Sequence, residues 1–302
     1  MSAPRVTATD WALFFVCVAT WGSAYAAVHV ALQGGASPWT ITAARMWMGT
    51  LLLHGILWAQ RARNGEPLQT FTITPRLVLL GIAGGTAPFA LLSFAQLYIS
   101  SGLTGILAAL TPLMVGATAP LIAPEERLTV TRVIGLLLGF AGVVVLTGPA
   151  AFAASGSTML PGILAATGAA ASYALNALIA RHGEPIPPLE ASAGWTFWGA
   201  LLATPFMLLM PSASPPTPVA WLMIALLALG PTALASLAYF RLVRTAGPGF
   251  LTQANYVLPL WAVTLGVIAF GERVEPNMFA ALVLIGLGLF TAQGGWRVFR
   301  FA

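Results

Sequence analysis

The chain has 302 residues, 58% of them hydrophobic and 7% charged, with 13 arginines, no lysine, eight acidic residues and a net charge of +5. A soluble domain carries roughly 25% charged residues and needs them as a surface coat, so a soluble enzyme, a nucleic-acid binder and a disordered chain are excluded. The single Cys17 leaves neither an internal disulfide nor a thiolate metal site.

A helix needs about 20 apolar residues to cross a bilayer core. Ten such stretches succeed one another, at 11–32, 39–60, 77–99, 102–123, 133–151, 159–180, 191–210, 219–240, 248–270 and 277–296. Runs such as Val133–Leu146 and Phe279–Phe290 are apolar on every face, whereas strands of a β-barrel alternate over about ten residues. The expected fold class is all-α, a polytopic membrane protein of ten transmembrane helices. Ala24-Tyr25-Ala26 has the look of a signal cleavage site, but the apolar stretch runs on to Leu32, too far for a signal core. The first span is expected to be retained.

The arginines orient the chain. With the N-terminus inside, the cytoplasmic segments hold eleven: Arg5, Arg61, Arg63, Arg76, Arg127, Arg132, Arg181, Arg241, Arg244, Arg297 and Arg300. Arg273 alone falls outside, and Arg45 lies within the second span. This asymmetry predicts both termini on the cytoplasmic side of the membrane. The basic charge is then a topology signal; the bilayer is the partner, and nucleic acid is not.

An internal repeat runs through the spans. Leu110-Thr111-Pro112-Leu113 with Glu125-Glu126-Arg127 is answered by Val257-Leu258-Pro259-Leu260 with Gly271-Glu272-Arg273; Pro112 and Pro259 stand 147 residues apart, Glu126 and Glu272 146. Tyr25 finds Tyr173, Phe94 finds Tyr239, and Gly84-Gly85…Pro88 finds Gly230-Pro231. Five spans is an odd number, so two such units, 1–152 and 153–302, must lie in opposite orientations, as in many secondary transporters. The alternatives are a non-transporting membrane scaffold and a membrane-embedded enzyme.

Trp21-Gly22-Ser23, Pro38 with Arg45 seven residues on, and the twice-repeated Pro…Glu-Arg block resemble the EamA-type exporters of the drug/metabolite transporter superfamily over essentially the whole chain. One departure is Trp195 in the second half where the first has Arg45. The resemblance implies that the first, third, fourth, sixth, eighth and ninth spans surround a central cavity. The second and seventh then form flexible walls, and the fifth and tenth a clamp. Gly135, Gly139, Gly142, Gly286 and Gly288 would permit close approach there. The implied activity is export of small neutral solutes, above all aromatic and other large neutral amino acids, by a monomeric protein.

Polar groups within spans are costly and need a reason. Trp21, Tyr25 and His29 share one helical face; with Gln96, Thr111, Asn176, Tyr239, Gln253 and Tyr256 they sketch an uncharged, ring-rich cavity. Trp21, Tyr25, Gln96, Thr111, Asn176, Tyr239, Gln253 and Tyr256 are the expected substrate contacts. Pro112 and Pro259 are the expected hinges, since each removes a backbone hydrogen bond. Ser93, Ser172, Ser236 and Thr252 are assigned to bonds between helices. Arg45 either snorkels to tie external loop carbonyls or the Glu272/Glu275 loop, or steers a substrate carboxylate; His29 is a second steering candidate at the external rim.

All eight acidic residues fall at or beyond span ends. No nucleophile motif, no metal-ligand cluster and no cofactor site is read, and no catalytic residue is expected. Coupling is then either exchange down the solute gradient or weak proton coupling through His29.

Overall fold

A computed structural model describes residues 6–67, 74–122, 129–153, 159–181, 183–184, 186–251, 253–254, 257–258, 260–261 and 276–292. Among them the ordered elements are all helices: α1 (Ala8–Gln33), α2 (Pro38–Asn64), α3 (Pro75–Ala95), α4 (Ser101–Ala108), α5 (Thr111–Ile122), α6 (Val130–Ala153), α7 (Leu160–Arg181), α8 (Pro188–Leu209), α9 (Pro218–Thr245), the single turn α10 (Pro248–Leu251) and α11 (Pro276–Ala292). Five of these, α1, α3, α7, α8 and α9, are long and apolar enough to cross a membrane, and shorter apolar helices run over Leu103–Gly116, Val130–Val145 and Phe279–Gly288. Most of the ninth expected span lies outside the described residues.

Starts are written locally. Ser37, Thr74 and Thr217 each accept a hydrogen bond from a first-turn amide, at Thr40, Leu77 and Ala220, and each is followed by a proline whose missing N–H costs nothing there. Thr7 and Asp10 close α1 with a reciprocal capping box. The α2 helix stops at Gly65, which adopts φ 69°.

Helices pair in a pattern that survives exchange of the two halves. The α2 helix packs along α8, and α6 along α11; α1 lies on α9 as α7 lies on α3; α3 touches α8 as α9 touches α2. Both α3 and α9 widen into a π turn, at Ile82–Thr86 and Ala228–Leu234. These turns begin 146 residues apart (228 minus 82), the same offset as the sequence repeat. A π turn inserts one residue into the ladder and shifts the register of the helical turns beyond it.

One end of the bundle carries the charged ties. Thr245 Oγ1 donates to Asp10 Oδ1 at 2.6 Å, joining α9 to α1. Arg76 donates to the carbonyls of Ile179, Ala180 and Glu184, joining α3 to the end of α7. Arg61 pairs with Glu190 at 3.1 Å, joining α2 to α8. Just inside this end Trp11, Phe14 and Phe250 pack ring on ring, with centroids 5.0–5.5 Å apart. The opposite end is tied by neutral groups: Ser37 N–H donates to Ser212 Oγ and Thr217 N–H to the Gly34 carbonyl. Leu51, Leu208, Leu209, Leu160 and Phe279 project from the outer surface, as expected where hydrocarbon is the solvent.

The α6–α11 pair is the tightest crossing. A Cβ on Gly288 would stand 2.7 Å from the Gly135 carbonyl oxygen, and one on Gly142 2.7 Å from Ile285 Cγ1. Gly286, expected in the same contact, instead faces open space; one step along a helix turns a residue by about 100°, so Gly286 and Gly288 cannot both meet α6. Gly288→Ala should therefore force backbone apart and cost about 1–3 kcal/mol, seen as a lowered Tm of the purified protein, while Gly286→Ala should leave Tm unchanged or raise it slightly. Equal effects of the two changes would contradict this crossing.

Candidate functional site

The π turns and prolines fall where α3 and α9 face the middle of the bundle, and a cavity of about 120 Å³ opens between them. A single water needs about 10–15 Å³ on this measure, so the space takes several waters or one small organic solute. Its wall is contributed by α1, α2, α3, α5, α7, α8, α9 and α10, hence by both halves. The Trp11–Phe14–Phe250 cluster lies two to three turns further along α1, between the cavity and the charged end.

The backbone around the cavity is satisfied by side chains. Pro112 cannot donate to the Ala108 carbonyl, four residues back, and Thr111 Oγ1 donates there instead at 2.7 Å. Pro231 likewise leaves the Leu227 carbonyl, which Thr232 Oγ1 takes at 2.8 Å. The Pro231 carbonyl in turn accepts from Trp21 Nε1 at 3.3 Å. Thr86, at the end of the other π turn, donates to the Gly199 carbonyl of α8. Gly84 is small because Asn176 sits against it; a Cβ there would lie 2.5 Å from Asn176 Oδ1.

The aromatic wall is held by edge contacts. Asn176 Nδ2 donates to the Tyr239 hydroxyl at 2.7 Å, and the Tyr239 ring meets Trp21 and Phe240 edge-on, with centroids 6.3 and 5.0 Å apart. Phe89 and Phe240 flank Trp195 at 6.1 and 6.5 Å. Tyr25 and Tyr173, related by the repeat, both line the space. Against this apolar background three polar atoms have no hydrogen-bond partner although buried: Gln96 Oε1, Gln96 Nε2 and Trp195 Nε1. An amide left unpaired costs about 1–3 kcal/mol.

Arg45 is the charged member. It is 4% exposed and lines the cavity. Its Nε donates to Thr232 Oγ1 at 3.0 Å, and its Cζ lies 3.8 Å above the centre of the Phe89 ring. Of its two expected positions Arg45 takes the inward one, held by the Thr232 hydroxyl and the Phe89 face. Glu272 and Glu275 lie outside the described residues. The described ion pair is that of Arg61 with Glu190; Arg45 has no carboxylate partner among the described residues. Trp195, its counterpart in the repeat, faces the same space from α8.

Of the expected contacts, Trp21, Tyr25, Gln96, Thr111, Asn176 and Tyr239 converge on this cavity. Gln253 is buried but stands outside the lining. His29 is exposed, outside the lining, and bonds Gln33 at 3.0 Å, one turn on along α1. Tyr256 and Pro259 lie outside the described residues. Ser172 and Ser236 donate to backbone carbonyls, at Ala83 and Ala233, and Ser236 also borders the cavity. Sequence reasoning passed over Phe89, Tyr173 and Trp195 as site residues. Tyr173 and Trp195 were legible in the repeat as the partners of Tyr25 and Arg45; Phe89 had no signal beyond its place after Pro88.

Comparison with known proteins agrees with this architecture. The sequence profile of the EamA-like transporter family matches twice, over residues 10–148 and 160–292. An uncharacterized transporter of Archaeoglobus fulgidus is 25% identical over 65% of this chain and 67% of its own length. The uncharacterized transporter YoaV of Bacillus subtilis is 23% identical over 89% of this chain and 91% of its own. The aromatic amino acid exporter YddG of Ancylobacter novellus is 29% identical over 55% of this chain and 57% of its own length, so this match spans little more than half of that exporter. A solved structure shares the fold with a TM-score of 0.76 at 22% identity, over 94% of this chain and 97% of that one. With both halves matched, the chain belongs to the EamA-like transporter family, within the drug/metabolite transporter superfamily.

Proposed function

We infer that this transporter exports small solutes, with aromatic and other large neutral amino acids as cargo, by alternating access. Ten spans form two five-span units, 1–152 and 153–302, in opposite orientations in a bacterial inner membrane with both termini cytoplasmic. The observation that carries the reading is the cavity between the halves, walled by rings and holding the unpartnered Gln96 amide and Trp195 indole N–H. A flat apolar side chain entering the cavity would lie against the wall of Trp21, Tyr239 and Phe240, where edge contacts to rings contribute about 0.5–1.5 kcal/mol beyond area burial. The exporter YddG, a relative across half the chain, supports the same cargo class. Two units that exchange their helix contacts give two arrangements of similar energy, which alternating access needs.

Pro112 marks the joint of this motion in the first half. The described chain turns between α4 and α5 at Ala109–Leu110, so Pro112 sits in the first turn of α5 and not inside a continuous helix. The joint can flex without breaking a ladder bond, because Thr111 already holds the freed carbonyl.

In proteoliposomes the wild-type chain should give saturable flux of radiolabelled aromatic amino acids. Asn176→Leu removes the donor to Tyr239 and should cut that flux about tenfold or more, while the purified variant stays monodisperse. Absence of saturable flux across a panel of amino acids would overturn the cargo assignment. Full flux in the variant would make Asn176 a packing residue only.

Coupling depends on where the carboxylates sit. Asp10, Glu66, Glu184 and Glu190 all lie away from the cavity lining, and His29 faces outward. A carrier of protons at membrane depth needs an ionisable group that both proton and substrate reach. Flux should therefore run down the solute gradient, and an imposed pH gradient with equal solute on both sides should produce no accumulation. Uphill uptake that a protonophore abolishes would refute exchange or facilitated flux.

A further inference from the structure

Among the described residues the cavity presents one charge, and none of them answers it. Of the Arg45 guanidinium, Nε is taken by Thr232 and one face by Phe89. The two terminal nitrogens have no acceptor among the described residues. A buried guanidinium without an anion is strongly disfavoured, and its fork of N–H groups matches one partner above others, a carboxylate held by two parallel bonds. Around the same space Gln96 Nε2 and Trp195 Nε1 are two more donors without partners. Donors for an anion are therefore in surplus.

The ammonium end of an amino acid finds no equivalent. No Asp or Glu is among the described lining residues; what these offer a cation is ring faces, carbonyl edges and the Gln96 oxygen. Phe89, one of those rings, is already covered by the guanidinium. An ammonium in this small space is also repelled by Arg45, which no anion offsets until a carboxylate arrives.

We propose that the recognised group is the carboxylate, read by Arg45 with Gln96 and Trp195, and that aromatic monocarboxylates lacking an ammonium are cargo at least as good as the amino acids themselves. The inference rests on the proposed transport of aromatic solutes, and it changes the charge that moves: one net negative charge per turnover for a monocarboxylate, none for a zwitterion.

The test is isothermal titration of the purified full chain with four probes: 3-phenylpropionate, phenylalanine, phenethylamine and hexanoate. Phenylpropionate should bind as tightly as phenylalanine or more so, and phenethylamine roughly 10–100-fold more weakly. Arg45→Gln should weaken phenylpropionate by a similar factor and tighten phenethylamine; if that variant does not purify, the wild-type series decides alone. Phenethylamine equal to phenylpropionate, or phenylalanine bound while phenylpropionate is not, would overturn the inference and leave the aromatic cargo assignment standing. Hexanoate bound as well as phenylpropionate would sustain carboxylate recognition while removing the aromatic preference. Failure of all four probes to bind would sink both.

Discussion

Hydrocarbon offers a backbone carbonyl no partner outside the protein itself. A helix that crosses it can be interrupted only where some other group of the chain takes over the orphaned acceptor. Among the described residues, the interruptions at Pro112 and Pro231 lie at the centre of the bundle, and each is repaired locally. Thr111 covers the carbonyl that Pro112 abandons, Thr232 covers the one that Pro231 abandons, and Trp21 takes the carbonyl of Pro231 itself. Two of the residues that repair the backbone, Trp21 and Thr111, thus also border the cavity, and Thr232 holds Arg45, which borders it too. A site emerges here because irregular backbone and polar side chains require each other in a membrane.

The same economy explains Arg45. A hydroxyl already committed as donor to Leu227 still has lone pairs, and Thr232 uses one to accept from Arg45 Nε. The π turn of α9 therefore anchors a guanidinium carried by α2, across a gap of 187 residues. The equivalent tie in the other half is neutral: Thr86, ending the π turn of α3, bonds the Gly199 carbonyl of α8. The scaffold repeats while the charge does not.

Much of the scaffold was legible in the sequence for identifiable reasons. Ser/Thr-Pro pairs at 37–38, 74–75 and 217–218 mark helix starts because the cap and the missing N–H each serve the first turn. The repeat offset is visible because prolines, glycines and tyrosines are rare enough in apolar helices to stand out. The π turns were not legible, since one extra residue in a ladder changes neither hydropathy nor composition. Nor was the direction of Arg45: position along α2 fixes its depth, but its choice between rim and cavity depends on Thr232 and Phe89, one of them in the other half. His29 shows the same limit from the opposite side. It shares a helical face with Trp21 and Tyr25, yet one further turn carries it past the cavity to an exposed bond with Gln33.

Exchange symmetry and an asymmetric charge have different consequences, and the pair of positions 45 and 195 separates them. If the halves swap arrangements during transport, each helix of one half comes to resemble its counterpart in the other, and α2 and α8 trade environments. Trp195 is a neutral, polarisable surface with one donor; Arg45 is a fixed cation with five. The two arrangements of an empty cavity then differ in how the cation is solvated, while a bound anion would reduce that difference in both. An occupied site would therefore pass between arrangements more readily than an empty one, with Arg45, which meets no carboxylate among the described residues, supplying the bias.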